Sequence, residues 1–146
     1  MKSKLLQDGP RKTWMIVFDR GEEASAGLQE FARKENLGAS QFTAIGAFSS
    51  VELGFFVIEK RDYECIPISE QVEVLSIVGD ITEGEKGPKV HAHAVVGKRN
   101  GSAWGGHLVK GIVNPTLEVV ITESPAHLKR RHDDASGLSL IDPTLP

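Results

Sequence analysis

A single cysteine, Cys65, in 146 residues excludes an internal disulfide framework and any cysteine-based zinc knuckle. Its neighbours Tyr63, Glu64 and Ile66 supply no positive charge, so the thiol is expected to be buried and inert. Long apolar runs are missing: no stretch approaches the ~18 residues that a bilayer-spanning helix needs. No signal-type apolar stretch precedes Trp14, and the expected compartment is the cytoplasm. An excess of positive charge is missing too. Seventeen Lys and Arg against twenty Asp and Glu give a formal charge of −3, so no overall field draws the chain to nucleic acid or to an anionic membrane. The short basic runs, Arg11-Lys12 and Lys129-Arg130-Arg131, read as solvated. With no repeats, low-complexity segment or linker, the length gives one domain, residues 1–146. Residues 1–13 and about 132–146 are expected to be loosely ordered tails.

Periodicity supplies the elements. Trp14-Met-Ile-Val-Phe18 is a short continuous apolar run, the pattern of a buried strand. After Asp19-Arg20-Gly21, Ala24, Leu28, Phe31 and Ala32 fall on one helical face. Asn36-Leu37-Gly38 should stop that helix, with Gly38 supplying the left-handed cap. Strands follow: Gln41 to Phe48 and Val51 to Glu59, divided by Ser49-Ser50, then Gln71 to Asp80 with Val72, Val74 and Ser76 on one face. Val90 to Gly97 and Ser102 to Val109 flank a turn at Lys98–Gly101, and Thr116 to Glu123 alternates Leu117, Val119 and Ile121 with Glu118, Val120 and Thr122. Ala126 to Arg131 reads as one helical turn. The fold class is α+β, a mostly antiparallel β-sheet packed with one main helix.

Three of the five histidines, His91, His93 and His107, fall within one short stretch. His91 and His93 are two apart in a strand and leave the same face. If the loop is Arg99-Asn100-Gly101, with Gly101 left-handed, Lys98 pairs with Ser102 and His93 stands directly opposite His107. A loop of two or four residues would put His107 on the other face unless Gly105-Gly106 forms a bulge. In the three-residue register all three imidazoles can reach one ion at ~2.0–2.1 Å. Zinc suits three neutral imidazoles, although iron, nickel and copper also accept them. The competing reading leaves the three half-exposed on a sheet face, bonded to backbone or water.

Other signals are weaker. Gly97-Lys-Arg-Asn-Gly101 lacks the strand–loop–helix context of a phosphate loop and reads as a hairpin turn. Asp80, Glu83 and Glu85 could furnish a general acid, although a solvated acidic loop is the commoner reading of such a run. Glu118, on the strand next in sequence to the histidine hairpin, is the candidate carboxylate near the site, and Arg20 a candidate pocket-facing cation. His127 and His132 lie in a polar segment and read as solvated.

Ala44-Ile-Gly-Ala47, Val72-Glu-Val-Leu-Ser-Ile-Val-Gly79, Pro88-Lys-Val-His-Ala-His93, Gly105-Gly-His-Leu108 and Leu117-Glu-Val-Val120 resemble the stand-alone prokaryotic form of the plants-and-prokaryotes conserved domain, PPC. The likeness runs from the opening strand to Ser124-Pro125. It implies a homotrimer with a DNA-associated or regulatory role, and a fold similar to acetolactate decarboxylase, where a His-x-His and a later His hold zinc. By that likeness His91, His93 and His107 are the ligands of one metal ion, with Glu118 and Arg20 as neighbours. Plant members carry a separate Arg-Gly-Arg-Pro hook for the minor groove, and this sequence has no such segment. DNA or DNA-associated proteins are thus partners by resemblance only, beside a small-molecule ligand at the metal. The alternative function is a metal-dependent enzyme, of lyase or hydrolase type, acting on a small oxygen-rich substrate.

Overall fold

The run Trp14–Phe18 forms the last five residues of a strand whose alternate side chains, Trp14, Ile16 and Phe18, are buried. The computed structural model describes residues 1–146. Its elements are β1 (Lys2–Gln7), β2 (Lys12–Phe18), α1 (Ala24–Lys34), β3 (Ala39–Val57), β4 (Asp62–Ile68), β5 (Val72–Gly84), β6 (Gly87–Gly97), β7 (Ala103–Glu123), β8 (Arg130–His132) and β9 (Ser139–Ile141). The first seven strands form one antiparallel sheet in the order β1-β2-β7-β6-β5-β3-β4. Strand β7 also pairs with β3, so β7, β6, β5 and β3 close on themselves. The expected α+β class is what folds: a mostly antiparallel sheet with one helix.

The helix buries the face its periodicity marks, Ala24, Leu28, Phe31 and Ala32, and packs on β6 and β7. Glu23 caps it: Oε1 accepts from Ser25 N at 2.9 Å and Oε2 from Ala26 N at 2.7 Å. The same Oε1 accepts from Gly111 N at 3.0 Å, tying the helix start to β7. At the other end Asn36, with φ 52°, takes the left-handed position expected of Gly38. Asparagine tolerates that region, and Gly38 serves a different need, since a Cβ there would meet the His127 ring at 2.5 Å. No helix is long and apolar enough to cross a membrane.

Ser49-Ser50 does not divide two strands. Strand β3 runs through it, and register shifts on both sides of Phe48 bend the chain so that its first half pairs with β5 and its second with β4. A shift between Val74 and Ser76 likewise resets β5, turning Ile77 inward where Ser76 was expected and leaving Leu75 exposed. Residues 2–7, expected as a loose tail, are strand β1. An edge strand with both faces exposed has no buried side to write an alternation into the sequence. At the far end 130–132 and 139–141 form a small hairpin, so the helical turn expected at 126–131 is absent. Cys65 is exposed on β4 rather than buried.

Candidate metal centre

The β6–β7 hairpin closes through three residues. Gly101 has φ 84°, Lys98 N donates to Ser102 O at 2.9 Å, and Gly101 N to Lys98 O at 2.9 Å. Asn100 Oδ1 accepts from Ser102 N at 3.0 Å and Ser102 Oγ at 2.7 Å, fixing the turn from inside. This is the loop that the register argument requires, and it sets His93 opposite His107. His91 follows two residues back on β6, across from Asp80 on β5.

The ring centroids lie 5.1 Å apart for His91 and His93, 5.4 Å for His91 and His107, and 5.7 Å for His93 and His107. One nitrogen from each ring lies within 4.8 Å of the others. Small side-chain rotations bring such a trio to the spacing of three ligands at ~2.0–2.1 Å from one ion. The surroundings of His93 and His107 favour the neutral imidazole, the form that ligates. Burial, then the positive charges of His91, His93 and Lys89, lower the His107 pKa to about 4. Burial and the His91 charge also lower that of His93. His107 Nδ1 is buried with no hydrogen-bond partner. A buried, unmet ring nitrogen beside two more imidazoles is a donor set that fits a cation.

Asp80 sets the His91 ring. Its Oδ2 lies 3.2 Å from His91 Nδ1, and its Oδ1 accepts from Arg130 Nη2 at 2.6 Å. Burial opposes ionisation of this carboxyl, but the His91 hydrogen bond and the Arg130 charge outweigh it and hold the pKa below the usual carboxylate value. A cavity of about 480 Å³ adjoins His107 and is lined by Ser25, Gln29, Glu52, Tyr63 and Cys65 among others. Tyr63 lies over the His107 ring at 4.7 Å. A second space, of about 640 Å³, adjoins His91 and His93 beside Gln41, Thr43, Asp80 and Thr122. Partial loss of hydration, then the hydrogen bond and charge of Glu52, raise the thiol pKa of the exposed Cys65, so this cysteine is not activated.

Glu118 and Arg20 are not brought to these cavities. Glu118 is exposed on β7 between Val17 and Ile45, and Arg20 is exposed in the turn before α1. Neighbourhood in sequence misled for Glu118, because β7 is long and its far half pairs with β2 and β3 instead of β6. Asp80 is the carboxylate at the histidines. Its place could have been counted: Gly84 pairs with Gly87, and the same register puts Asp80 across from His91. Arg130 comes from a distant segment and carried no such signal.

The model of the Plants and Prokaryotes Conserved (PCC) domain matches residues 6–125. The chain belongs to that family. Bifunctional protein GlmU from Synechococcus sp. (strain JA-3-3Ab) is 31% identical to the chain over 135 residues, 90% of this chain and 20% of that protein. The PCC chain therefore spans about a fifth of the length of that curated relative. Among solved structures, a metal-containing protein from Archaeoglobus fulgidus superposes with a TM-score of 0.82 at 27% identity, covering 96% of each chain. A candidate DNA-binding protein from Ralstonia eutropha JMP134 gives 0.83 at 26% identity over 91% of each chain. A Staphylococcus aureus protein similar to α-acetolactate decarboxylase gives 0.50 at 17% identity, covering 82% of this chain and 52% of that one, a likeness of fold alone.

Proposed function

We propose that this PCC domain is a homotrimeric metal-binding module in which His91, His93 and His107 hold one transition-metal ion, zinc, and present it to a small oxygen-donor ligand. The observation that carries the proposal is the convergence of three ring nitrogens within 4.8 Å on a register fixed by the Gly101 hairpin. His91, His93 and His107 would hold a zinc ion with room for one exchangeable ligand, and the ion would supply Lewis-acid activation of an oxygen atom there. Around it the chain's own groups divide the work. Asp80 keeps a proton on His91 Nδ1, Tyr63 covers His107, and the flanking cavities admit a small molecule.

The outer sheet face supports self-association. Ile45 and Val78, each 59% exposed, lie with Val120 around Thr43, and Val78 pairs with His93. Exposed branched aliphatic side chains beside the site suit burial against another copy of the chain. With a net charge of −3 the chain by itself has little hold on a polyanion. The regulatory role is accordingly exercised with DNA-associated partners. Turnover of a small oxygen-rich substrate is the second reading, favoured by the cavity that sets Glu52, Tyr63 and Ser25 beside His107.

Metal analysis of untagged, gently purified protein by inductively coupled plasma mass spectrometry tests the centre. About one equivalent of zinc per chain is expected, and almost none in His91→Ala and His107→Ala. Folded wild type that stays empty after incubation with zinc would overturn the reading. Light scattering should give three times the 15.9 kDa of one chain.

A further inference from the structure

The Arg130 side chain is only 6% exposed, although it sits in a basic run on a short outlying hairpin. Burying a guanidinium is costly unless its donors are met. Here Nε donates to Thr82 Oγ1 at 2.6 Å, Nη1 to Ser139 O at 2.9 Å, and Nη2 to Asp80 Oδ1 at 2.6 Å. One side chain thus joins β5, β9 and the carboxylate that faces His91. The segment that delivers it is pinned by backbone bonds from Glu83 N to Leu128 O at 2.8 Å and from Leu128 N to Gly38 O at 3.0 Å.

The other Asp80 oxygen is the one at His91 Nδ1. A carboxylate only accepts, so the bond between them places the imidazole proton on Nδ1 and leaves the lone pair on Nε2. Arg130 occupies Oδ1 and thereby keeps Oδ2 turned toward His91. Partners of this kind fix both the tautomer and the orientation of a metal-ligating histidine.

We propose that Arg130 is a positioning residue for the metal centre: through Asp80 it holds His91 with Nε2 presented to the ion, so that docking of the β8–β9 hairpin and metal binding favour one another. This rests on the trihistidine reading above. The mutual effect follows from linkage, since whatever the hairpin adds to metal affinity the metal must return to hairpin docking.

The test compares wild type, Arg130→Met and Arg130→Lys. Long-range proton–nitrogen correlation spectra of the metal-free proteins report the His91 tautomer, and competition with a chromophoric chelator reports zinc affinity. The expected result is an Nδ1 proton on His91 in wild type and a mixture in Arg130→Met. Zinc affinity should fall roughly 10–100-fold in that variant. Arg130→Lys should recover part of the loss, because an ammonium reaches Asp80 but not Thr82 and Ser139 together. Zinc should also slow amide exchange in 130–132 and 139–141 of wild type. A folded Arg130→Met with the wild-type tautomer and zinc affinity within about twofold would overturn the proposal, as would hairpin exchange indifferent to zinc. Should Arg130→Met not fold, Thr82→Val removes one acceptor at nearly constant volume and should shift tautomer and affinity in the same direction; an unchanged tautomer and affinity there would overturn it. If wild type takes up no zinc, the trihistidine reading fails on its own, and the metal-free tautomer comparison still decides whether Arg130 positions His91.

Discussion

His93 and His107 stand directly opposite each other across β6 and β7, their rings nearly perpendicular at 88°. The opposition is held from two directions, by the three-residue turn at Arg99–Gly101 and by the pairing of β7 with β3 from His107 to Glu123. The second hold is the longer, which predicts an asymmetry. One glycine inserted after Asn100 should be absorbed as a longer loop, at a closure cost of a few tenths of a kcal/mol, with zinc affinity nearly unchanged. Deleting Asn100 leaves a two-residue loop that cannot span the same register without strain. Urea unfolding and chelator competition on both variants check this. Loss of zinc binding in the insertion would mean that the turn alone sets the register.

Gly79 carries a different constraint. It pairs with Ala92 between the Asp80–His91 and Val78–His93 pairs, and a Cβ built there would lie 2.5 Å from the His91 carbonyl oxygen as well as against the Phe42 ring. Backbone cannot yield as a flexible side chain does. Gly79→Ala should cost about 1–3 kcal/mol in urea unfolding and should weaken zinc binding by pushing His91 away from Asp80. Gly105→Ala is the control: its Cβ would come no nearer than 3.3 Å to the Ala94 carbonyl oxygen, so zinc binding should persist.

The helix start allows a prediction about stability alone. Glu23 satisfies Ser25 N, Ala26 N and Gly111 N together, joining a helix cap to a strand 88 residues away. Glu23→Ala should therefore cost about 1–2 kcal/mol, at the upper end for a cap. Lys60→Ala should change stability by less than about 1 kcal/mol, because its pairing with Glu64 at 2.6 Å is open to solvent. Equal effects of the two substitutions in thermal or urea unfolding would contradict the bridging role of Glu23.

How much of this was written in the sequence depends on how locally each feature is specified. The α1 face, the buried Trp14–Phe18 run, the Leu117–Val119–Ile121 alternation and the His93–His107 register follow from periodicity and one turn. Strand β1 was illegible because an edge strand with two wet faces needs no apolar pattern. The bulge before Ser76 was illegible because register is settled by the neighbouring strand, not by β5. Within the site, Asp80 was within reach of the same arithmetic that placed His107, applied to the turn at Glu85-Lys86. Arg130 was not. It arrives from 50 residues beyond Asp80, out of a run of three basic residues that reads as solvent-facing.

The histidine cluster should also write itself into the pH dependence of the metal-free protein. In the fold His107 has a pKa of about 4, against 6.5 for the free side chain. Between those values the unfolded chain binds more protons than the folded one, so stability rises with pH. The contribution is complete above about pH 6.5 and is lost as pH falls toward 4; His93, also lowered, acts in the same direction. Asp80, held below its ordinary value, contributes above that value and loses its share only in more acid solution. Solvent screening of a partly open site keeps the His107 effect on the order of 1 kcal/mol. Urea unfolding of metal-free protein at several pH values from 4 to 7 should show this rise, and His107→Gln should flatten it while leaving the more acidic loss in place. A slope that survives His107→Gln would place the titrating group elsewhere, and the burial of the His107 ring would then have no energetic consequence in the folded chain.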